Sequence, residues 1–224
     1  MNIKNNITAL VQNLPPGCQL IAVSKTKPIE NIQEAYDAGQ RRFGENKVQE
    51  LIPKYEALPK DIEWHMIGHL QSNKVKFITP FINLIHSVDS VKLLEEIEKQ
   101  AAKIKRTVHC LLQVHIAEEE TKFGFSESEL LSFFDDPAFG RFGNIRIDGL
   151  MGMATLTGDS QQIAKEFAGL KRTFERLRSS VLPANVRMNI LSMGMSSDHS
   201  LAVAAGSTMI RVGSAIFGER GYAL

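Results

Sequence analysis

The sequence predicts an α/β fold, a single (β/α)8 TIM-type barrel with one extra helix in front. Three observations predict it. Eight short runs rich in Val, Ile and Leu recur along the 224 residues, and each is followed by apolar residues at helical spacing. Strands that alternate with helices pair in parallel through right-handed crossovers, and eight such units suit a closed barrel. No linker, low-complexity tract or internal repeat interrupts the chain, so residues 1–224 read as one domain. A doubly wound open sheet is the main rival for the same alternation.

The elements follow in order. Ile3, Ile7, Leu10, Val11 and Leu14 mark an amphipathic N-terminal helix that Pro15-Pro16-Gly17 ends. The first strand runs through Leu20-Ile21-Ala22-Val23 into Ser24-Lys25-Thr26-Lys27-Pro28, and Pro28 suits the first turn of a helix. Residues 29–38 are predicted helical and closed by Gly39. A short strand over 41–43 leads into Gly44-Glu45-Asn46, and Val48, Leu51, Ile52 and Tyr55 mark the next helix. Strands are predicted over 63–67, 83–87, 107–116, 145–151, 188–192 and 209–212.

The helices between them carry their own signals. One is predicted over 71–78. Ser90 caps a long one carrying Leu93, Leu94, Ile97, Ala101 and Ile104. Ser126 and Glu129 have capping-box spacing ahead of Leu130, Leu131 and Phe134. Ile163, Phe167, Leu170, Phe174 and Leu177 form an apolar stripe. The last two helices are predicted over 197–205, ended by Gly206, and from about Ala215.

Composition narrows the function classes. At 43% hydrophobic and 23% charged residues the chain has ample apolar material for a core. A net charge of +1 gives no reason to expect nucleic acid as a partner. No apolar run is long enough for a bilayer span, and Lys4, Asn5 and Asn6 interrupt any signal-peptide pattern. The expected compartment is the cytoplasm. Cys18 and Cys110 lie in apolar stretches and match neither a disulfide framework nor a metal motif.

The chemistry is expected where barrel strands end. Ile21, Val23 and Lys25 share one strand face, so Lys25 lies at a carboxyl end beside apolar neighbours. A desolvated lysine amine is more often neutral, and a neutral amine forms a Schiff base with an aldehyde. After strand 7 comes Ser192-Met193-Gly194-Met195-Ser196-Ser197-Asp198, and after strand 8 comes Arg211-Val212-Gly213-Ser214. Such barrels most often bind phosphate at these two loops. Gly194 and Gly213 let backbone approach a ligand, and Ser196 or Ser197 opens a helix whose N–H groups favour an anion. A ligand with both an aldehyde and a phosphate satisfies both halves, and pyridoxal 5'-phosphate (PLP) is the obvious candidate.

Longer stretches then resemble a family. They are Ala22-Val23-Ser24-Lys25-Thr26-Lys27-Pro28, Phe43-Gly44-Glu45-Asn46 and Trp64-His65-Met66-Ile67-Gly68-His69-Leu70-Gln71-Ser72-Asn73-Lys74. Gly149-Leu150-Met151-Gly152-Met153-Ala154-Thr155, Leu191 through Ser196 and Arg211 through Gly218 continue the match. Together they resemble the PLP-binding, or PLP homeostasis, protein family (the YggS/PROSC group). The resemblance implies a barrel like the N-terminal domain of alanine racemase, of PLP fold type III. It implies PLP bound covalently to Lys25, with phosphate loops at Ser192, Met193, Gly194, Met195 and Ser196 and at Gly213 and Ser214. It places Arg211 against the pyridine nitrogen and Asn46 near the ring, with Met151, Met153 and Met193 as pocket or core residues.

An arginine only donates to the ring nitrogen, which leaves the pyridine unprotonated and a poorer electron sink. Racemases of this fold recruit a second proton-transfer group from a further domain and a partner subunit. Here the sequence ends at Leu224, and Tyr36, Tyr55 and Tyr222 fall in no matched motif. The expectation is therefore a monomeric, non-catalytic holder of PLP in vitamin B6 homeostasis, with apo PLP-dependent enzymes as possible recipients. A small racemase-like amino-acid enzyme is the alternative.

No metal site is expected. His65 and His69 straddle a strand end and a glycine, and His109 and His115 are six residues apart. Lys74 and Lys76 read either as an attraction for a phosphate-bearing partner or as a solvated helix face, Glu118-Glu119-Glu120 reads as a loop tip, and Lys122 has no assigned role.

Overall fold

Alternation along the strands decides what lies inside this molecule, a computed structural model describing residues 2–118, 123–136 and 142–219. In β1 (Gln19–Val23), Leu20 and Ala22 pack outward against helices while Ile21 packs toward the barrel axis. The next strands are β2 (Arg42–Glu45), β3 (Glu63–Met66), β4 (Leu84–Val88) and β5 (Val108–Val114). They are followed by β6 (Ile145–Gly152), β7 (Val186–Ser192) and β8 (Met209–Val212). Each is parallel to its predecessor, and β8 pairs in parallel with β1, with Ile21 opposite Arg211. That last pairing closes the barrel and removes the open-sheet alternative.

The helices wrap the outside. Before the barrel comes α1 (Ile3–Gln12), which buries Ile3 and Ile7 and is capped where Asn5 N–H donates to the Asn2 side chain. After successive strands come α2 (Ile29–Asp37), α3 (Val48–Ala57), α4 (Val75–Ile78) and α5 (Val91–Lys103). Then come α6 (Glu127–Asp135), α7 (Ser160–Arg178), α8 (His199–Ala204) and α9 (Ser214–Phe217). The Ser90 cap forms at α5, and both halves of the Ser126–Glu129 capping box form at α6.

Two helices are shorter than the sequence predicts. Residues 71–78 form a 3-10 turn over Ser72–Lys74 that runs into α4, and Pro80 follows closely. In the predicted helix 197–205, α8 begins only at His199. Its N-cap is Asp198, whose Oδ1 accepts the Met195 N–H at 2.6 Å and fixes the loop in a turn.

The core has two layers. The larger lies between sheet and helices and includes Phe43, Trp64, Leu150, Met193, Phe167 and Leu170. The smaller plugs the barrel axis with Ile21, Leu84, Leu111, Met151 and Met209. Above that plug the inward positions turn polar: His65 on β3, His86 on β4, Ser192 on β7 and Arg211 on β8 are all buried. This polar layer is the floor of the candidate site.

Candidate functional site

At the carboxyl ends of the strands lies a cavity of about 530 Å³, within the ~300–1,000 Å³ range usual for small-molecule sites. Its wall brings together Lys25, Asn46, Met195, Ser196, Arg211, Gly213 and Ser214, seven of the ten residues singled out from sequence. Val23, Lys27, Ile67, Met153, Leu156, Ser197 and Gly218 complete it. The remaining three singled-out residues lie elsewhere, for reasons of strand geometry. Met193 follows inward-facing Ser192 and so points outward into the larger core. Gly194, at φ +97°, is needed for packing: a Cβ there would lie 2.6 Å from Ala202 Cβ on α8. Ser192 is the last residue of β7 and sits beneath Arg211, outside the cavity wall.

Arg211 is a buried, firmly anchored charge in the cavity wall. Its Nη1 donates to Ser192 Oγ at 2.6 Å and its Nη2 to the Gly152 carbonyl at 3.0 Å. Burial pulls its pKa down to about 10, against the pull of the Asp198 carboxylate, so it stays charged at neutral pH.

Below Ser192 the chain of contacts continues. His86 Nδ1 lies 3.0 Å from Ser192 Oγ, and His86 Nε2 lies 2.8 Å from His65 Nδ1. Ser192 Oγ accepts from Arg211 and, as a hydroxyl, can still donate to or accept from His86 Nδ1, while one proton is shared between His86 Nε2 and His65 Nδ1. His65 Nε2 is a buried atom without a hydrogen-bond partner among the described residues. Both imidazoles are neutral. Burial pushes His65 down to about 3 and His86 well below its ordinary value, with the charges of Arg42 and Arg211 respectively adding to the effect.

The neutral pair makes stability pH-dependent. An unfolded imidazole takes its proton near 6.5, whereas folded His65 resists until about 3. Its contribution is thus complete above about pH 6.5 and is lost as pH falls, by up to ~1.4 kcal/mol per pH unit. Between pH 6.5 and 5, the urea-unfolding free energy of the His65→Gln protein should fall less steeply than that of the wild type. Equal slopes would refute the neutral assignment.

The corner of the cavity where the loops after β7 and β8 meet is built from hydroxyls and backbone. Ser196 Oγ accepts the Gly213 N–H at 3.2 Å, which joins the two loops. A Cβ at Gly213 would lie 3.2 Å from the Val23 carbonyl oxygen, so a side chain there would crowd β1. Helix α9 starts on Gly213 without a side-chain cap among the described residues. The hydroxyls of Ser196, Ser197 and Ser214 line the same corner. Opposite them, the loop after β3 sits on Asn46: a Cβ at Gly68 would lie 2.5 Å from the Asn46 carbonyl oxygen.

Behind Lys25 lies a second buried polar group that sequence reading missed. Glu45 faces outward from β2, fully buried, and accepts from Ser24 Oγ at 2.5 Å and Lys54 Nζ at 2.8 Å. Burial pushes its carboxyl up, against the opposing pull of Lys54 and Ser24. His86 and Glu45 had a readable signal, a polar residue at a fixed parity in an apolar strand. Lys54 had none, because only the folded helix brings it to Glu45.

The residues set aside as metal ligands go to separate partners. His65 faces His86, whereas the ring of His69 bonds Asp89 and stacks on Phe123. His109 bonds Asp148. Tyr36 bonds Asp61 and Tyr55 stacks on Phe81, both away from the cavity wall. Glu119, Glu120, Lys122 and Tyr222 lie outside the described residues. No helix among the described residues is long and apolar enough to cross a membrane.

This fold and site define a barrel of the alanine racemase type, and the alanine racemase N-terminal domain family matches residues 1–221. The pyridoxal phosphate homeostasis protein of Pasteurella multocida is 34% identical over 235 residues, covering 99% of both chains. The solved structure of PipY from Synechococcus elongatus without PLP is 40% identical, with a TM-score of 0.90 over 96% of this chain and 100% of that one. The same protein with PLP bound gives 39% and 0.86 at the same coverage. Alanine racemase from E. faecalis shares the fold alone, at 18% identity and a TM-score of 0.74 over 98% of this chain and 58% of its own. The chain belongs to the alanine racemase N-terminal domain family and, within it, to the pyridoxal phosphate homeostasis proteins.

Proposed function

We propose that this protein holds PLP as a Schiff base on Lys25 and serves vitamin B6 homeostasis in the cytoplasm, as a monomer and without catalytic turnover. One observation carries the reading: a single cavity wall contains Lys25, Arg211 and the serine-rich corner formed by Ser196, Ser197, Gly213 and Ser214. The PLP-bound PipY structure supports the choice of ligand.

Each group has a task. The Lys25 amine would add in its unprotonated form to an aldehyde carbon, whose oxygen would leave as water. The serine hydroxyls and the open N–H groups of α9 take the phosphate oxygens. Arg211, fixed from below by Ser192 and Gly152, donates to the ring nitrogen and cannot give up its proton there. PLP itself supplies an electron sink when bound, and the arginine weakens it. Among the described residues, the cavity wall contains no carboxylate, imidazole or phenol to move a substrate proton. That composition suits a holder of PLP, which could then pass to apo PLP-dependent enzymes.

Borohydride reduction of the PLP-loaded protein, followed by peptide mapping, should place the label on Lys25. A label elsewhere would sink the assignment. The Lys25→Ala protein should lose the label on that peptide yet bind pyridoxine 5'-phosphate, which has no aldehyde, as well as the wild type does. Exchange of amino-acid α-hydrogens with deuterated solvent at useful turnover would instead favour a racemase-like enzyme.

A further inference from the structure

The two neighbours of Lys25 are gripped from outside the barrel by charged residues of α3. On one side, Lys54 Nζ donates to the Ser24 carbonyl at 2.9 Å and to Glu45 Oε1 at 2.8 Å, and Ser24 Oγ donates to that same oxygen. On the other, the Thr26 N–H donates to Glu50 Oε2 at 2.8 Å, and Glu50 in turn lies 3.7 Å from Lys54. Thr26 sits at φ +62°, a left-handed conformation that a β-branched residue rarely adopts. Such a conformation persists only where the surroundings over-determine it, and Glu50 supplies the contact that holds it.

Alternation explains why the grip comes from behind. Val23 and Lys25 face the cavity, so Ser24 between them faces the helix layer, where α3 runs. The turn at Thr26 then ends the strand direction, and Lys25 is left at the rim of the cavity. Without the grip, the Lys25 backbone would sample other turns, and its amine would spend less time aimed into the cavity.

We propose that Glu50 and Lys54 are positioning residues for Lys25: they fix the turn that presents its amine to a carbonyl ligand, without touching that ligand. This rests on the reading of Lys25 as the covalent PLP residue and deepens it. It assigns the speed of covalent capture to α3, separately from the phosphate corner that sets non-covalent affinity.

The test uses two probes on the full chain, PLP and pyridoxine 5'-phosphate. Glu50→Ala removes the acceptor of the Thr26 N–H, whereas Glu50→Gln keeps an oxygen there. Losing one charge-assisted hydrogen bond should slow the borohydride-trappable adduct about tenfold in Glu50→Ala. Glu50→Gln should stay close to the wild-type rate, and all three proteins should bind pyridoxine 5'-phosphate equally. Glu50 is partly exposed, so its removal leaves no buried charge unpaired. An unchanged capture rate in Glu50→Ala would overturn the proposal, as would a matching loss of pyridoxine 5'-phosphate binding or a Gln variant as slow as Ala. A wild-type label on a residue other than Lys25 would overturn both this proposal and the reading beneath it.

Discussion

The Gly149→Ala protein is expected to fail to fold or to unfold at far lower urea than the wild type. Gly149 lies on β6 at φ +154°, and a Cβ there would stand 1.8 Å from the Ile190 carbonyl oxygen on β7. The Ile190 carbon and nitrogen are also within 3.0 Å, so the obstacle is backbone, with no flexible side chain to swing aside. The pairing of β6 with β7 shifts register just before this residue, between Ile147 and Gly149, which brings the two strands together there. Relief would require β7 to move away, yet β7 is also paired to β8 in a closed barrel. Separating them would break ladder hydrogen bonds and pull Ser192 from beneath Arg211. The expected cost is above ~4 kcal/mol, in the range reserved for such steric failures. Gly158 is the control, since a Cβ there meets nothing within 4 Å. Gly158→Ala should change the unfolding free energy by less than ~0.5 kcal/mol. A Gly149→Ala protein as stable as that control would refute the argument.

Gly149 also marks the limit of sequence reading. The Gly149-Leu150-Met151-Gly152 stretch is legible as a strand, but a carbonyl crossing from β7 is not, because the register shift is a property of the pair. The barrel itself was legible, since eight short apolar runs separated by helical runs leave few topologies. Lys25 was legible as a charge at an inward parity at the end of an apolar strand, whereas Arg211 was singled out only through the family resemblance. The candidate loop after β7 was only half legible. The run 192–196 gathers five candidates; the strand ends at Ser192 as predicted, and alternation sends Met193 outward. Gly194 reads as room for a ligand, and the fold adds a packing need, since a Cβ there would meet α8. Asp198 was visible in the same run, but its turn with Met195, which delays the start of α8, depends on side-chain geometry.

Arg211 should prove costly to the fold and valuable to binding. Its guanidinium is buried, with no carboxylate in ion-pair contact among the described residues, and its hydrogen bonds go to the neutral acceptors Ser192 and Gly152. A pKa pulled from 12.5 to about 10 means that the folded state penalises the charge by ~3 kcal/mol at neutral pH. A methionine of similar length fills the space without that penalty, although the Gly152 carbonyl loses a partner, at ~1–3 kcal/mol. The two terms nearly cancel. Ligand-free Arg211→Met should therefore unfold within ~2 kcal/mol of the wild type, whereas removal of one partner of a buried ion pair costs ~3–5 kcal/mol. Binding should respond quite differently. A charge-assisted hydrogen bond to the ring nitrogen contributes ~1.5–3 kcal/mol, so pyridoxine 5'-phosphate affinity should fall by roughly 10- to 150-fold. Urea unfolding with and without that ligand measures both quantities on one protein. A strongly destabilised ligand-free variant that kept its affinity would show that Arg211 holds the barrel together and leaves the ring nitrogen alone.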